Sequence, residues 1–483
     1  RPPRSGRLLG AGLGLFGLRS PPLVDREPAR DLLWSELRSA VAHGAPRCVV
    51  LHGGPGIGKS RLARWLAERA EESAGARVLR ADWGPLPGQA AGLGPMIARA
   101  LRCQGLTGAD LALRIEAEVR ALGGSDPYEW RALAALVGST ESGTAPQGLP
   151  RIGRSERAGV IRRLLARLAA NRPVILLLGD VHHGLEGLEL LGQLLQAPPR
   201  SLGAVVIVCT VRDDALLQRQ PVAERFMALR GQHDLAEIVL DPLAPEAVRE
   251  LVTGMLDLDD TLADALVSRA DGNPLFAVQL LGEQVQRGLL EPGAGGYRLT
   301  RGELALPEDV YSLWSLRLQS ALADLPSAAE RAVEIAAALG NEVIGPEWRR
   351  AARLASFDAG LLQQVTQRLL SARLAHTTSD GWRFSHGLLR ESCMRSALEQ
   401  GRWTGACAAA GTAVLDVGGA ATRERAGLLL LAGEQWEVGL PVLIECDKEL
   451  TPFFYKCLRD RLRQRELRCV YLDGRAQQQQ AQQ

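Results

Sequence analysis

From Cys48 onward the chain alternates short apolar runs with stretches whose apolar residues recur every three to four positions. A short apolar run bounded by turn formers reads as a buried strand, and the helical period reads as a helix packed over it. The runs are Cys48 to His52, Arg77 to Ala81, Val174 to Leu178, Val205 to Val211 and Glu237 to Leu240. Helical patterns fall between them, notably Lys59 to Ala70, Glu156 to Ala170 and Glu186 to Gln196. Such alternation predicts an α/β domain with a largely parallel sheet. Gly138 to Gly153, rich in Gly, Ser, Thr and Pro, predicts a long surface loop.

After Asp241 the strand signals fade, and Pro245 to Met255 and Thr261 to Ala270 predict a helical lid over 241–300. Helices resume near Pro307, where Ser327 and Glu330 have capping-box spacing ahead of a helix ending near Leu339. Leu374 to Ala375 and Trp382 to Phe384 predict a hairpin, so 301–400 is compatible with a winged-helix-like domain. Residues 401–440 read as a helical segment rich in Ala, Leu and Gly. Beyond it, Val442 to Cys446, Thr451 to Arg463 and Arg468 to Leu472 read as strand, helix and strand within 441–475. The Gln-rich stretch 476–483 is expected to be disordered. At the other end, the apolar run Leu8 to Leu18 is broken by four glycines and lacks an obvious cleavage site, so 1–23 reads as a linker rather than a signal peptide.

The 483 residues, 46% of them hydrophobic, suffice for two to four domains with sizeable cores. A net charge of +2 offers no bulk attraction to nucleic acid or to an anionic membrane, so any phosphate binding must be local. No apolar run reaches membrane-spanning length. The eight cysteines form no C-x-x-C pair and read as reduced packing residues of a cytoplasmic protein. Among the basic residues only Lys59, Lys448 and Lys456 are lysine.

Lys59 stands in the sharpest motif, Gly53-Gly54-Pro55-Gly56-Ile57-Gly58-Lys59-Ser60, a full G-x-x-x-x-G-K-S between a predicted strand and a predicted helix. Its glycines let successive backbone N–H groups face phosphate oxygens, while Lys59 serves the β and γ phosphates and the Ser60 hydroxyl serves Mg²⁺. The loop, with Arg61 following it, predicts binding of ATP or ADP. A second element, an acid ending a buried strand, is supplied by Val174-Ile175-Leu176-Leu177-Leu178-Gly179-Asp180, which makes Asp180 the candidate for holding Mg²⁺ or orienting water. The adjacent His182 and His183 lack a third ligand at suitable spacing and read as surface or hydrogen-bonding residues.

Together these residues resemble the STAND branch of AAA+-related P-loop ATPases over about residues 24 to 400. The resemblance rests on Val24-Asp25-Arg26-Glu27, similar to a V-G-R-E box; the P-loop; the Asp180 strand; Cys209-Thr210-Val211-Arg212, similar to a sensor segment; Gly272-Asn273-Pro274-Leu275-Phe276, similar to a G-N-P-L-F lid motif; and Phe384-Ser385-His386 with Arg390-Glu391, similar to the end of the family's winged-helix region. It implies a P-loop core over 24–240, a γ-phosphate-sensing role for Arg212, a position beside the adenine for Pro274, and a stabilising role for His386 at a helix start. Two departures stand out: Asp25 replaces a glycine, and Gly179 stands where the first of two acids is usual. That acid normally serves Mg²⁺, so hydrolysis is expected to be slow and to rise in Gly179→Asp.

The opening residues also resemble linkers that join bacterial serine/threonine kinase domains to such modules, although no H-R-D or D-F-G run is present. The expected function is an ATP/ADP-binding regulatory switch that meets other signalling domains or proteins and self-associates in a nucleotide-dependent way, with nucleic acid and membrane not expected as partners. The alternatives are an actively hydrolysing AAA+ ATPase and a winged-helix DNA-binding regulator. Arg349, Arg350 and Arg353 are the basic residues that would serve DNA.

Overall fold

In the computed structural model the described residues are 21–84, 92–141, 154–198, 200–217, 220–293, 295–300, 310–417 and 422–446. The linker residues 1–20, the greater part of the expected loop at 142–153, and the elements expected beyond 446 lie outside them.

Five strands form one parallel sheet: β1 (Arg47–His52), β2 (Arg77–Asp82), β3 (Val174–Gly179), β4 (Val205–Thr210) and β5 (Ala236–Val239), in the spatial order β2-β3-β4-β1-β5. Each of the five strands expected in this domain is present, with no end shifted by more than one residue. β3 and β4 contain only aliphatic residues, Gly179, Cys209 and Thr210, because helices cover both faces of the sheet and leave no exposed face for polar side chains. Parallel strands align their carboxyl ends along one edge, and polar residues concentrate there: His52, Asp82, Asp180 and Thr210. The order places β4 between the P-loop strand β1 and the acid-bearing strand β3. Four helices, Leu93–Ala100, Gly108–Ala121, Pro127–Glu141 and Arg154–Ala169, lie between β2 and β3, and the third runs into the stretch expected to be loop.

Helices Pro245–Met255, Asp260–Ala270 and Pro274–Gln286 form the lid. The lid region also contains an antiparallel hairpin, β6 (Leu290–Gly293) with β7 (Gly296–Leu299), which the fading strand signals did not announce. Helix Val310–Leu322 leads into helix Ala328–Leu339, strand β8 (Glu342–Ile344), helices Gly345–Leu354 and Ala359–Ser371, and strands β9 (Ala375–Thr377) and β10 (Gly381–Phe384). Helix, strand, two helices and a hairpin whose sheet runs β8-β10-β9 form a winged-helix-like unit. Ser327 has helical backbone angles and its hydroxyl caps nothing, so the capping box read from its spacing is not formed.

Helices Gly387–Glu399, Trp403–Val417, Arg423–Ala432 and Trp436–Cys446 complete the described chain. The last replaces the strand expected at Val442 to Cys446. An apolar run of that length fits either element, and packing decides: Leu440 and Leu443 are buried, with Leu443 against the bare face of Gly427. Among the described residues no helix is long and apolar enough to cross a membrane, and Cys48, Cys103, Cys209, Cys393 and Cys407 are buried thiols.

Candidate nucleotide site

The loop Gly53–Ser60 leaves β1 and enters helix Lys59–Ala74. Gly53, Gly56 and Gly58 have φ of 137°, 76° and 108°, a region open to glycine and costly for other residues. A Cβ on Gly53 would meet the Leu240 carbonyl oxygen at 2.8 Å, and one on Gly56 would meet Asn273 Oδ1 at 2.8 Å. Gly54 and Gly58 instead face open space, with nothing within 4 Å of an added Cβ. The loop is therefore braced on its inner side and open on its outer side. Ile57 is buried in the sheet core and anchors it. Lys59 is buried, and its Nζ donates to the carbonyls of Gly53 and Gly54, both at 2.7 Å. Ser60 is exposed in the first helical turn, while Arg61 sends its guanidinium along the helix to Glu68, 3.5 Å away. Backbone N–H groups at a helix start, an ammonium and a hydroxyl form a donor set that fits nucleotide phosphates and Mg²⁺.

Asp180 follows β3 in the left-handed region, φ 53°, and its N–H donates to Thr210 Oγ1 of β4 at 2.8 Å. Its carboxyl is pushed up to about 6 by burial, with Lys59 and Arg212 opposing the rise and Asp82 and Glu391 adding to it. The four charges acting on Asp180 thus come from the loop, from β2, from the residue after β4 and from the winged-helix side of the molecule. Asp82 closes β2 in register with Gly179 and is held by Arg80, whose Nε lies 2.6 Å from Oδ2.

Arg212 stands two residues past β4. Its N–H donates to Nδ1 of the fully buried His182 at 3.3 Å, so this histidine is a hydrogen-bonding residue rather than a surface one. The Arg212 guanidinium donates to Glu391 Oε1 at 2.8 Å, and Tyr311 Oη donates to the other oxygen of Glu391 at 3.2 Å. Glu391 belongs to helix Gly387–Glu399, which His386 caps by accepting the Leu388 N–H. Burial holds the His386 imidazole below its usual range.

The lid reaches the loop through the Gly272–Phe276 motif. Asn273 caps helix Pro274–Gln286 by accepting the Phe276 N–H at 3.1 Å, and its amide donates to the Pro55 carbonyl at 3.0 Å. The Leu275 N–H donates to the Gly56 carbonyl at 3.3 Å. Pro274, first in that helix, therefore lies beside the P-loop. Asp25 has φ 49°, so it adopts the backbone a glycine would take there, and Arg26 donates to the Asp241 carbonyl at 2.7 Å, where the sheet domain meets the lid.

Gly53, Gly54, Gly56, Ile57, Gly58, Lys59, Ser60, Asp180, Arg212 and Pro274 thus gather at the carboxyl edge of the sheet and its lid, whereas the Arg61 guanidinium is engaged along its own helix. Sequence reasoning passed over Asp82, whose signal was an acid one residue past the expected end of β2, and assigned no role to Glu391 or Asn273 within motifs it had quoted.

Residues 22–208 match the family described as AAA ATPase domain. No curated protein matches the chain in sequence. Among solved structures, a Walker-type ATPase of Pyrococcus abyssi is 15% identical with a TM-score of 0.34, covering 78% of this chain and 99% of that one. Cdc6p of Pyrobaculum aerophilum is 13% identical with a TM-score of 0.37, covering 80% and 98%. The Aeropyrum pernix ORC1 protein in complex with DNA is 17% identical with a TM-score of 0.34, covering 79% and 95%. Values this low transfer nothing from those proteins to this one.

Proposed function

We propose that the chain is an ATP/ADP-binding switch module of the STAND type with slow hydrolysis, working within a signalling protein such as those built on bacterial serine/threonine kinases. The ion pair between Arg212 and Glu391 carries this reading. Arg212 stands at the sheet edge where a γ-phosphate would be sensed, and its guanidinium is committed to a carboxylate of the helix that follows the winged-helix-like unit. A γ-phosphate and Glu391 are alternative anionic partners for one guanidinium, so nucleotide state and the seating of that helix become coupled. Mg²⁺ would be held by Ser60 and by carboxylate at the β3 end, and would supply charge neutralisation for the phosphates. Hydrolysis is slow on this reading because Arg212 is diverted from the phosphate. Release of the helix would expose surface for other signalling domains and for nucleotide-dependent self-association.

The charges of the winged-helix-like unit support intramolecular work over DNA binding. Helix Ala359–Ser371 carries Arg368 as its one basic residue, engaged with Asp324 at 3.1 Å, and Arg350 pairs with Asp416 at 2.6 Å. The test is Glu391→Gln. A hydrogen bond to a charged group contributes about 1.5–3 kcal/mol, so its loss should raise nucleotide exchange and ATP turnover by about ten- to a hundredfold. Amide exchange across 387–399 should rise with it. Turnover and exchange equal to the parent's would overturn the switch, and salt-sensitive binding of duplex DNA would favour the regulator instead.

A further inference from the structure

The acid missing from β3 has a counterpart one strand away. In a parallel pair, residues in register place their side chains side by side on the same face, with strands about 4.8 Å apart. Asp82 and Gly179 are such a pair at the carboxyl ends of β2 and β3. Because Gly179 has no side chain, Asp82 leans across the strand boundary: a Cβ built on Gly179 would lie 2.1 Å from Asp82 Oδ1 and 3.1 Å from its Cγ. The Asp82 carboxylate therefore occupies the volume that an acid on β3 would fill.

We infer that Asp82 is the carboxylate that serves the nucleotide-bound divalent cation, supplied from β2 in place of the acid absent at Gly179. The assignment rests on the nucleotide-binding reading of the loop. Two further observations support it. The Asp82 main chain is fixed on both sides of this point, with its carbonyl accepting from the Gly92 N–H at 2.9 Å and the Trp83 N–H donating to the Gly179 carbonyl at 3.0 Å, so the carboxylate is delivered by an ordered edge. Asp82 and Lys59 both act on the buried Asp180 carboxyl, which places Asp82 in the electrostatic neighbourhood of the P-loop lysine. Mg²⁺ needs no more protein ligands than this, since it binds through one or two carboxylates and completes its shell with phosphate oxygens and water.

Arg80 neutralises Asp82 in the present arrangement, through bonds of 2.6 and 3.1 Å between two half-exposed side chains. An ion pair that open to solvent contributes at most about 1 kcal/mol, so it does not hold the carboxylate against a divalent cation.

The experiment titrates a fluorescent ATP analogue into the whole chain in EDTA and in Mg²⁺, with Mn²⁺ occupancy followed by electron paramagnetic resonance. The parent should bind more tightly with Mg²⁺. Asp82→Asn should lose that gain by about tenfold or more while keeping its affinity in EDTA. The double variant Asp82→Gly/Gly179→Asp, which returns the acid to β3, should recover the gain and the Mn²⁺ signal. Circular dichroism and thermal melting confirm that each variant is folded. If the folded parent binds no nucleotide in either buffer, the nucleotide reading falls and the role of Asp82 with it. If the parent binds and Asp82→Asn keeps the full Mg²⁺ gain, the nucleotide reading stands and Asp82 is excluded. Equal losses in EDTA and in Mg²⁺ would mark Asp82 as a brace between β2 and β3 and would also overturn the assignment.

Discussion

The sheet domain and the helical region after it handle charge in opposite ways. β3 and β4 carry no ionisable side chain other than Cys209, and the acids and histidine that belong to the site stand at the carboxyl edge, where nucleotide and water can reach them. The helical region buries charge in its interior. Glu347 and Arg425 are each 3% exposed and paired, Arg390 is as deeply buried with its Nε on the Ala337 carbonyl at 2.7 Å, and Arg402 reaches the buried Glu334. Among the described residues of the sheet domain the comparable pair is Glu129 with Arg167, and it lies on the flanking helices. A dry aliphatic sheet holds its edge residues rigidly and leaves them available for chemistry. Buried ion pairs add little net stability because desolvation offsets their attraction, yet they penalise alternative packings heavily. An element that must seat in one register and release it on a signal gains from that penalty.

The largest expected effect tests this contrast in the helical region. Arg425→Ala leaves Glu347 buried without its partner, and uncompensated charge of that kind costs about 3–5 kcal/mol. Burial already pushes the Glu347 carboxyl upward, with Arg425 opposing, so loss of Arg425 should push it further in the same direction. Replacing both residues by apolar ones, Glu347→Leu with Arg425→Met, should restore or exceed the parent's stability in urea melts. A double variant as unstable as Arg425→Ala would show that the pair stabilises the fold outright, and the contrast would fail.

At the sheet edge the same kind of deletion should act on binding and spare the fold. Lys59→Ala removes an ammonium that bonds two loop carbonyls, and it should weaken triphosphate binding by about 3 kcal/mol or more, on the order of a hundredfold. The melting midpoint should move little, since the loop stays braced by Leu240 and Asn273. Calorimetric titration beside a thermal melt separates the two quantities. A variant that binds ATP as the parent does would remove the site.

How far each region could be read in advance follows from how local its causes are. The loop is eight contiguous residues, and its glycine positions state their own backbone requirement. The strands are continuous apolar runs, so their existence and order along the chain were plain, but their spatial order and register were not. That gap hid Asp82: its role depends on which residue of β3 lies beside it, and β2 had been read as ending at Ala81. The same register bears on Gly179→Asp, whose added side chain would meet the Asp82 carboxylate and require it to turn aside. In the helical region the helices were legible from their period, yet the partner of Glu391 lies 179 positions away and no local pattern announces it. The misread strand at Val442 to Cys446 has the same origin, since packing against Gly427 decides the element.

The smallest expected effect lies on the seam between the regions. Asn273 uses one amide group for two tasks, capping helix Pro274–Gln286 with its oxygen and tying that helix to the Pro55 carbonyl with its nitrogen. Asn273→Asp keeps the oxygen as a helix cap but has no donor for Pro55, whereas Asn273→Ala loses both. The cap is worth about 1 kcal/mol, so Asn273→Ala should lower stability by that amount and Asn273→Asp by less. Both should loosen the lid, visible as faster amide exchange at 270–280 without nucleotide. ATP should slow that exchange in the parent if Pro274 closes over the base, and should slow it less in both variants. Equal exchange with and without ATP in the parent would deny the lid a nucleotide-dependent position. Slowing by ATP in Asn273→Asp as strong as in the parent would place the coupling in the Leu275–Gly56 backbone bond rather than in the side chain.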